Sequence, residues 1–147
     1  MRRFIGKVSN PIRTLVQTAA TQAEQETGTA VDKFVSPGRQ QFHPSAAKCW
    51  IEFTIAGVVN ASYNITSVDD TGLGDWTVNI ATDMSSGNYS AGASADPTGV
   101  VAAYNVTIAV ISKLAGSFRI IGTRGNDGTI LTDPFSGPVN AWAFGDQ

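Results

Sequence analysis

In "CWIEFTI", residues 49–55, side chains alternate in character. Cys49, Ile51, Phe53 and Ile55 share one face, and Trp50, Glu52 and Thr54 the other. A period of two belongs to a strand buried on one side, since successive side chains of a strand point in opposite directions. The pattern recurs in "WTVNI", where Trp76, Val78 and Ile80 oppose Thr77 and Asn79. It recurs again in "YNVTIAVI", where Tyr104, Val106, Ile108 and Val110 oppose Asn105, Thr107, Ala109 and Ile111. "SFRIIG" and "VNAWAF" read as two more strands, and "DDTGLGD", "SSGN", "ADPTG", "RGNDG" and "DPFSGP" as the turns that separate them. About eight short strands at this spacing define an antiparallel sandwich or a small barrel. The expected fold is mainly β, an antiparallel and jelly-roll-like β-sandwich with an N-terminal arm and one short helix.

"SYNITSVDDTGLGDWTVNI", residues 62–80, reads as a hairpin. Asp69 and Asp70 can accept hydrogen bonds from the turn backbone, and Gly72 and Gly74 supply positive φ. A connection of about five residues is expected.

Upstream of residue 46 the period changes. Residues 1–10 are short and basic without a clear repeat and read as an extended arm. In "PIRTLVQTAATQAEQETGT", Ile12, Leu15, Val16, Ala19 and Ala23 fall at helical spacing behind Pro11, which suits a first helical position. That spacing predicts a helix over about residues 11–27. The same stretch holds a rival start, because Thr21-Gln22-Ala23-Glu24 is a capping-box pattern. Gly28 ends either version. "SPGRQQFHPSAAK" reads as an extended linker with turns at Pro37-Gly38 and His43-Pro44. The division is therefore an N-terminal arm with helix and linker, residues 1–45, and a β-domain, residues 46–147.

Charge follows this division. Residues 1–48 carry seven Lys/Arg against three Asp/Glu, a balance of +4, and residues 49–147 carry three against nine, a balance of −6. A basic arm on an acidic body faces two different neighbours. Arg2, Arg3, Lys7 and Arg13 are too few and too dispersed for a phosphate-binding stripe, so nucleic acid is not an expected partner. Only 15% of residues are charged, against ~25% in an average soluble domain, a composition suited to burial against other copies. No apolar run approaches the ~18 residues of a membrane span, and the basic start lacks the continuous apolar stretch of a signal peptide.

Chemistry is sparse. Cys49 is the single cysteine and lies at an inward strand position, which excludes an intrachain disulfide and predicts a buried thiol. His43 is the single histidine. A triad with Asp32 or Cys49 lacks a nucleophile elbow, so His43 reads as a hydrogen-bonded linker residue. Asp69, Asp70 and Asp75 do not match the spacing of a calcium loop, and turn capping accounts for the first two. Asn60, Asn64, Asn88 and Asn105 head Asn-x-Ser/Thr sequons, which carry glycans only in a secretory setting. No catalytic, cofactor-binding or metal-binding residue is expected.

Two longer stretches carry a resemblance. Residues 42–95, "FHPSAAKCWIEFTIAGVVNASYNITSVDDTGLGDWTVNIATDMSSGNYSAGASA", resemble a domain repeated near the C-terminal ends of bacteriophage tail-fibre proteins. There an "HPxAAKAWV.F" segment leads into an "SYNVSSI.D.GTGDYTV.F" hairpin and an "M....Y" strand. Ile65-Thr66-Ser67-Val68, Gly74-Asp75-Trp76-Thr77-Val78, Met84 and Tyr89 fall at the matching places. The closing "VNAWAFGDQ" is similar to the family's terminal "V.V.VFG". Residues 19–39, "AATQAEQETGTAVDKFVSPGR", are similar to a collar segment of the same fibres. Cys49 stands where a small residue is usual, and "FTIAG" replaces the usual "FnGtG". The chain carries this collar and tip pattern without a long shaft.

The resemblance implies a homotrimeric virion protein on the particle surface, held to other phage structural proteins (tail hub, adaptor or capsid) and contacting a host glycan or protein. A short tail fibre or spike is the first expectation, and a capsid head fibre or decoration protein the second. Candidate anchoring residues are Arg2, Arg3, Phe4, Lys7 and Arg13. Candidates for the trimer interface or core are Trp50, Trp76, Trp142 and Phe144. Candidates for receptor-contact loops are Asn88, Tyr89, Asp96, Arg124, Asn126 and Asp127.

Overall fold

The computed structural model describes residues 18–96, 106–124, 137–145 and 147. Among them are eight strands: β1 (Cys49–Phe53), β2 (Val59–Tyr63), β3 (Ile65–Gly72), β4 (Asp75–Ile80), β5 (Ser90–Ala95), β6 (Val106–Leu114), β7 (Ser117–Arg124) and β8 (Val139–Phe144). They form two antiparallel four-stranded sheets, ordered β2-β1-β8-β5 and β3-β4-β7-β6, packed as a β-sandwich. Three hairpins, β1–β2, β3–β4 and β6–β7, stay within a sheet. The last strand β8 is inserted between β1 and β5.

The alternation read from the sequence sets the inward face. Cys49, Ile51 and Phe53 of β1, Trp76, Val78 and Ile80 of β4, Phe118 and Ile120 of β7, and Val139, Ala141 and Ala143 of β8 form the core. Trp76 is 1% exposed. Its ring meets Phe53 edge-on, with centroids 5.8 Å apart, and its Nε1–H donates to the Ile55 carbonyl at 2.8 Å. The indole thus buries its apolar body without stranding its one polar group.

The hairpin is tighter than expected. β3 runs through Asp69, Asp70 and Thr71 to Gly72, which pairs with Asp75, so only Leu73 and Gly74 remain as loop. The extra chain length is absorbed by a bulge at Asp70/Gly72. Gly74 has φ +65°, and its carbonyl accepts from Gly122 N–H at 2.8 Å. A side chain there would strain the backbone where it meets β7. Asp70 caps the turn, accepting from Gly72 N–H at 3.2 Å. Asp69 instead accepts from the Asn79 amide at 2.9 Å, a cross-strand bond available because β3 remains paired at that position.

The helix follows the capping-box reading. α1 spans Gln22–Thr27, Glu24 N–H donates to Thr21 Oγ1 at 3.2 Å, and Thr21 N–H donates to Glu24 Oε2 at 2.8 Å. Gly28 closes it in the left-handed region. The longer helix over 11–27 is not formed across 18–21. Those residues are extended, and Ala19 bridges Phe34 through the Ala20 N–H bond to the Phe34 carbonyl at 2.8 Å. Reciprocal capping and a non-local backbone bond outweigh weak helical spacing there. Within the expected extended linker, Pro37–Phe42 forms a 3-10 helix, with proline in its first turn.

Candidate functional site

The outer face of the β2-β1-β8-β5 sheet carries a row of aromatic side chains. Trp50 of β1 is directly opposite Tyr63 of β2 on one side and Trp142 of β8 on the other. Trp142 is in turn opposite Gly92 of β5. Trp50 is 44% exposed, Tyr63 45% and Trp142 38%. A Cβ built at residue 92 would stand 2.9 Å from Cε2 and Cζ2 and 3.1 Å from Nε1 of Trp142. The indole therefore lies over the bare backbone of Gly92, one face on the sheet and the other toward solvent. The next outward row is polar: Glu52 is opposite Asn140, and Asn140 opposite Ser94. Glu52 Oε1 accepts from the Asn60 amide at 3.2 Å.

One end of the row is bordered by the 3-10 helix and the chain that leads from it into β1. Lys48, immediately before β1, is buried, and its Nζ donates to the Gln41 carbonyl. Its N–H donates to the Ala143 carbonyl at 2.9 Å, and its carbonyl accepts from the Asn64 amide at 3.0 Å. Lys48 thereby ties the 3-10 helix to the start of the sheet. Pro37, Gln40, Gln41, Ala46 and Ala47 then line, with Trp50 and Tyr63, an open concavity of about 350 Å³. Its described lining has two carboxamides and no charged side chain.

The groups most capable of chemistry are engaged elsewhere. Burial pushes the Cys49 thiol up to about 11, which keeps it protonated at neutral pH. The exposed His43 has Nδ1 2.6 Å from Ser45 Oγ and accepts from Ser45 N–H at 3.2 Å, a local turn contact. Asp75 makes a two-pronged pair with Arg119 across β4 and β7, and the guanidinium holds its carboxyl below the usual range. Among the described residues no group of three or more His, Cys, Asp or Glu is arranged to hold a metal ion.

The sequence candidates separate. Trp76 belongs to the core, whereas Trp50 and Trp142 lie outside it, and Phe144 is partly buried at the end of β8. Tyr89, expected on a receptor-contact loop, is a core residue only 5% exposed. Its hydroxyl lies 2.9 Å from the Ser117 carbonyl and 3.1 Å from that of Leu114, and Lys113 Nζ sits 5.4 Å above its ring. Burial pushes its phenol up to about 12. A tyrosine in a polar stretch reads as a loop residue, yet here it closes the open end between the sheets. Asn88 and Asp96 are exposed, at the approach to β5 and just beyond it. Arg124 is the last residue of β7. Asn126 and Asp127, and the anchoring candidates Arg2, Arg3, Phe4, Lys7 and Arg13, lie outside the described residues.

Sequence reasoning missed the row itself and Gly92 beneath it. Its available signal was strand parity: in "VNAWAF", Trp142 alternates with Val139, Ala141 and Ala143. These features define a two-sheet antiparallel β-sandwich with an aromatic row on one outer face and a 3-10 helix beside one end of that row. Comparison with protein-family models, curated proteins and solved structures finds no match.

Proposed function

We propose that this chain is a non-enzymatic structural protein of a bacteriophage virion, a short trimeric tail fibre or spike attached through its N-terminal arm and touching the host surface. The observation that carries the reading is the tandem order of two motifs, the collar at residues 19–39 and the "HPSAAKCW" to "SYNITSVDDTGLGDWTV" run, both resembling tail-fibre sequences. Support comes from the exposed apolar side chains of the collar: Val31 is 99% exposed, Phe34 46% and Val35 51%. Second and third copies would cover them. The protonated, buried Cys49 and the locally bonded His43 suit a protein without a catalytic role. A capsid head fibre or decoration protein is the alternative position on the same particle.

The test combines mass and location. Light scattering at micromolar concentration should give three chain masses, and a clean monomer would reject the trimer. Antibody labelling of intact particles, viewed by electron microscopy, should decorate the tail. Labelling of the head selects the alternative, and unlabelled particles reject a virion role. Deleting residues 1–17, which leaves the Ala20–Phe34 backbone bond intact, should preserve a folded oligomer and abolish incorporation.

A further inference from the structure

The geometry points to a binding site for a neutral saccharide on the outer face of the β2-β1-β8-β5 sheet, built from Tyr63, Trp50 and Trp142 and bordered at one end by Gln40 and Gln41. The inference is argued from the sandwich alone and does not rest on the virion reading. A pyranose ring has one face of C–H groups and a rim of hydroxyls. Its C–H face stacks on the electron-rich face of an indole, and its rim needs neutral donors and acceptors.

Both requirements are present here. The indole of Trp142 is laid over Gly92 with its outer face open, a pose that a side chain at residue 92 would displace. Trp50 and Tyr63 continue the row across two further strands. The row covers roughly 10 Å, two inter-strand spacings, and so offers more than one sugar a stacking surface. Gln40 and Gln41 line the concave end, while Asn140 and Ser94 flank the row along β8 and β5. Among the described residues of this face and its concavity, the unburied charges are acidic: Glu52, bonded to Asn60, and Asp96 just beyond β5. With carboxylates at its margin and no exposed cation among the described residues of the face, nucleic acid and acidic polysaccharide are disfavoured. The concavity of about 350 Å³ falls at the small end of ligand pockets, roughly 300–1,000 Å³.

The full-length protein is applied to an array of neutral hexose, deoxyhexose and N-acetylhexosamine oligomers beside uronic- and sialic-acid oligomers. The strongest neutral hit is then titrated by intrinsic fluorescence, which Trp50 and Trp142 report from the surface. Binding by neutral oligomers is expected, and Trp142→Ala and Trp50→Ala should each weaken it roughly ten-fold or more. Tyr63→Ala and Gln40→Ala, also at exposed positions outside the core, should weaken it as well. Leu73→Ser, in the β3–β4 loop at the end of the other sheet, should leave it unchanged. Absence of any neutral binder, binding of acidic oligomers alone, or titrations unaffected by all four site substitutions would overturn the site. So would Trp50 and Trp142 shielded from acrylamide in the free protein, with Trp142→Ala lowering the oligomeric mass, because a second copy would then occupy the face. None of these outcomes bears on particle labelling, so the two readings fail separately.

Discussion

Replacing Trp76 by phenylalanine separates the core indole from the two on the surface. Burying a ring of this size removes roughly 150–250 Å² from water, about 4–6 kcal/mol at 25 cal/mol per Å². Full truncation to alanine would approach the whole stability of a small domain, about 5–15 kcal/mol, so the milder change is more informative. Trp76→Phe keeps most of the edge-on contact with Phe53 but removes the Nε1–H bond to the Ile55 carbonyl. That bond contributes about 1 kcal/mol. The missing pyrrole ring leaves a void among side chains that are almost completely buried, adding about 1–2 kcal/mol. The expected loss is about 2–3 kcal/mol. Trp142→Phe, with the ring 38% exposed and no core void to open, should cost less than about 1 kcal/mol. Urea unfolding followed by far-ultraviolet circular dichroism, at one protein concentration, measures both without relying on the altered fluorophore. A loss under about 0.5 kcal/mol for Trp76→Phe, or equal losses for the two variants, would refute the assignment of inside and outside.

Three further outcomes are expected. Cys49, with its thiol pushed to about 11 by burial, should resist a disulfide reagent at pH 8 in the native protein and react as one thiol per chain in urea; prompt native reaction would contradict its burial. Arg119 lowers the folded-state pKa of Asp75, so the pair's stabilisation is complete above the unfolded carboxyl value of ~3.9 and is lost as pH falls through the lower native value. Asp75→Asn should therefore flatten the acid limb of a stability-versus-pH curve, and an unchanged limb would show that the pair contributes nothing. Asn64 sits at φ +55° between β2 and β3 and bonds Lys48 and Thr82 through its side chain. Asn64→Ala should cost roughly 2–3 kcal/mol, and Asn64→Gly about 1 kcal/mol less by relieving the backbone, both read from urea midpoints.

Local pattern was enough for what depends on neighbours in the chain. The period of two in "CWIEF" and "DWTVNI" set which side chains of β1 and β4 turn inward, because strand geometry sends alternate residues to opposite faces wherever the strand lies. Gly28 fixed the end of α1 in the same way, and the Thr21–Glu24 capping box held its start beside a longer helical spacing, the choice between them falling to the Ala20–Phe34 backbone bond. The hairpin was legible, but its length was not. Asp69 and Asp70 suit a turn by residue type, and only pairing with Thr77 and Trp76 keeps them in a strand.

Which face of a strand becomes the core is a different question when both faces are apolar. In "VNAWAF" the choice lay between Val139, Ala141 and Ala143 on one side and Trp142 and Phe144 on the other, and side-chain size alone points to the wrong one. The answer depends on what fills the space opposite. β8 runs between β1 and β5 over a core already holding Trp76, Phe53 and Phe118. A core packed to crystal-like density accepts only small side chains there. Trp142 is therefore turned outward, and Gly92 lets it lie flat. The sequence by itself determined the alternating faces of β1 and β4 and the closing cap of α1. Tertiary structure alone decided that Tyr63, Trp50 and Trp142 form one row, because the order of strands in a sheet sets Trp50 directly beside Trp142, far away in the chain, and leaves no mark on the local period of any of them.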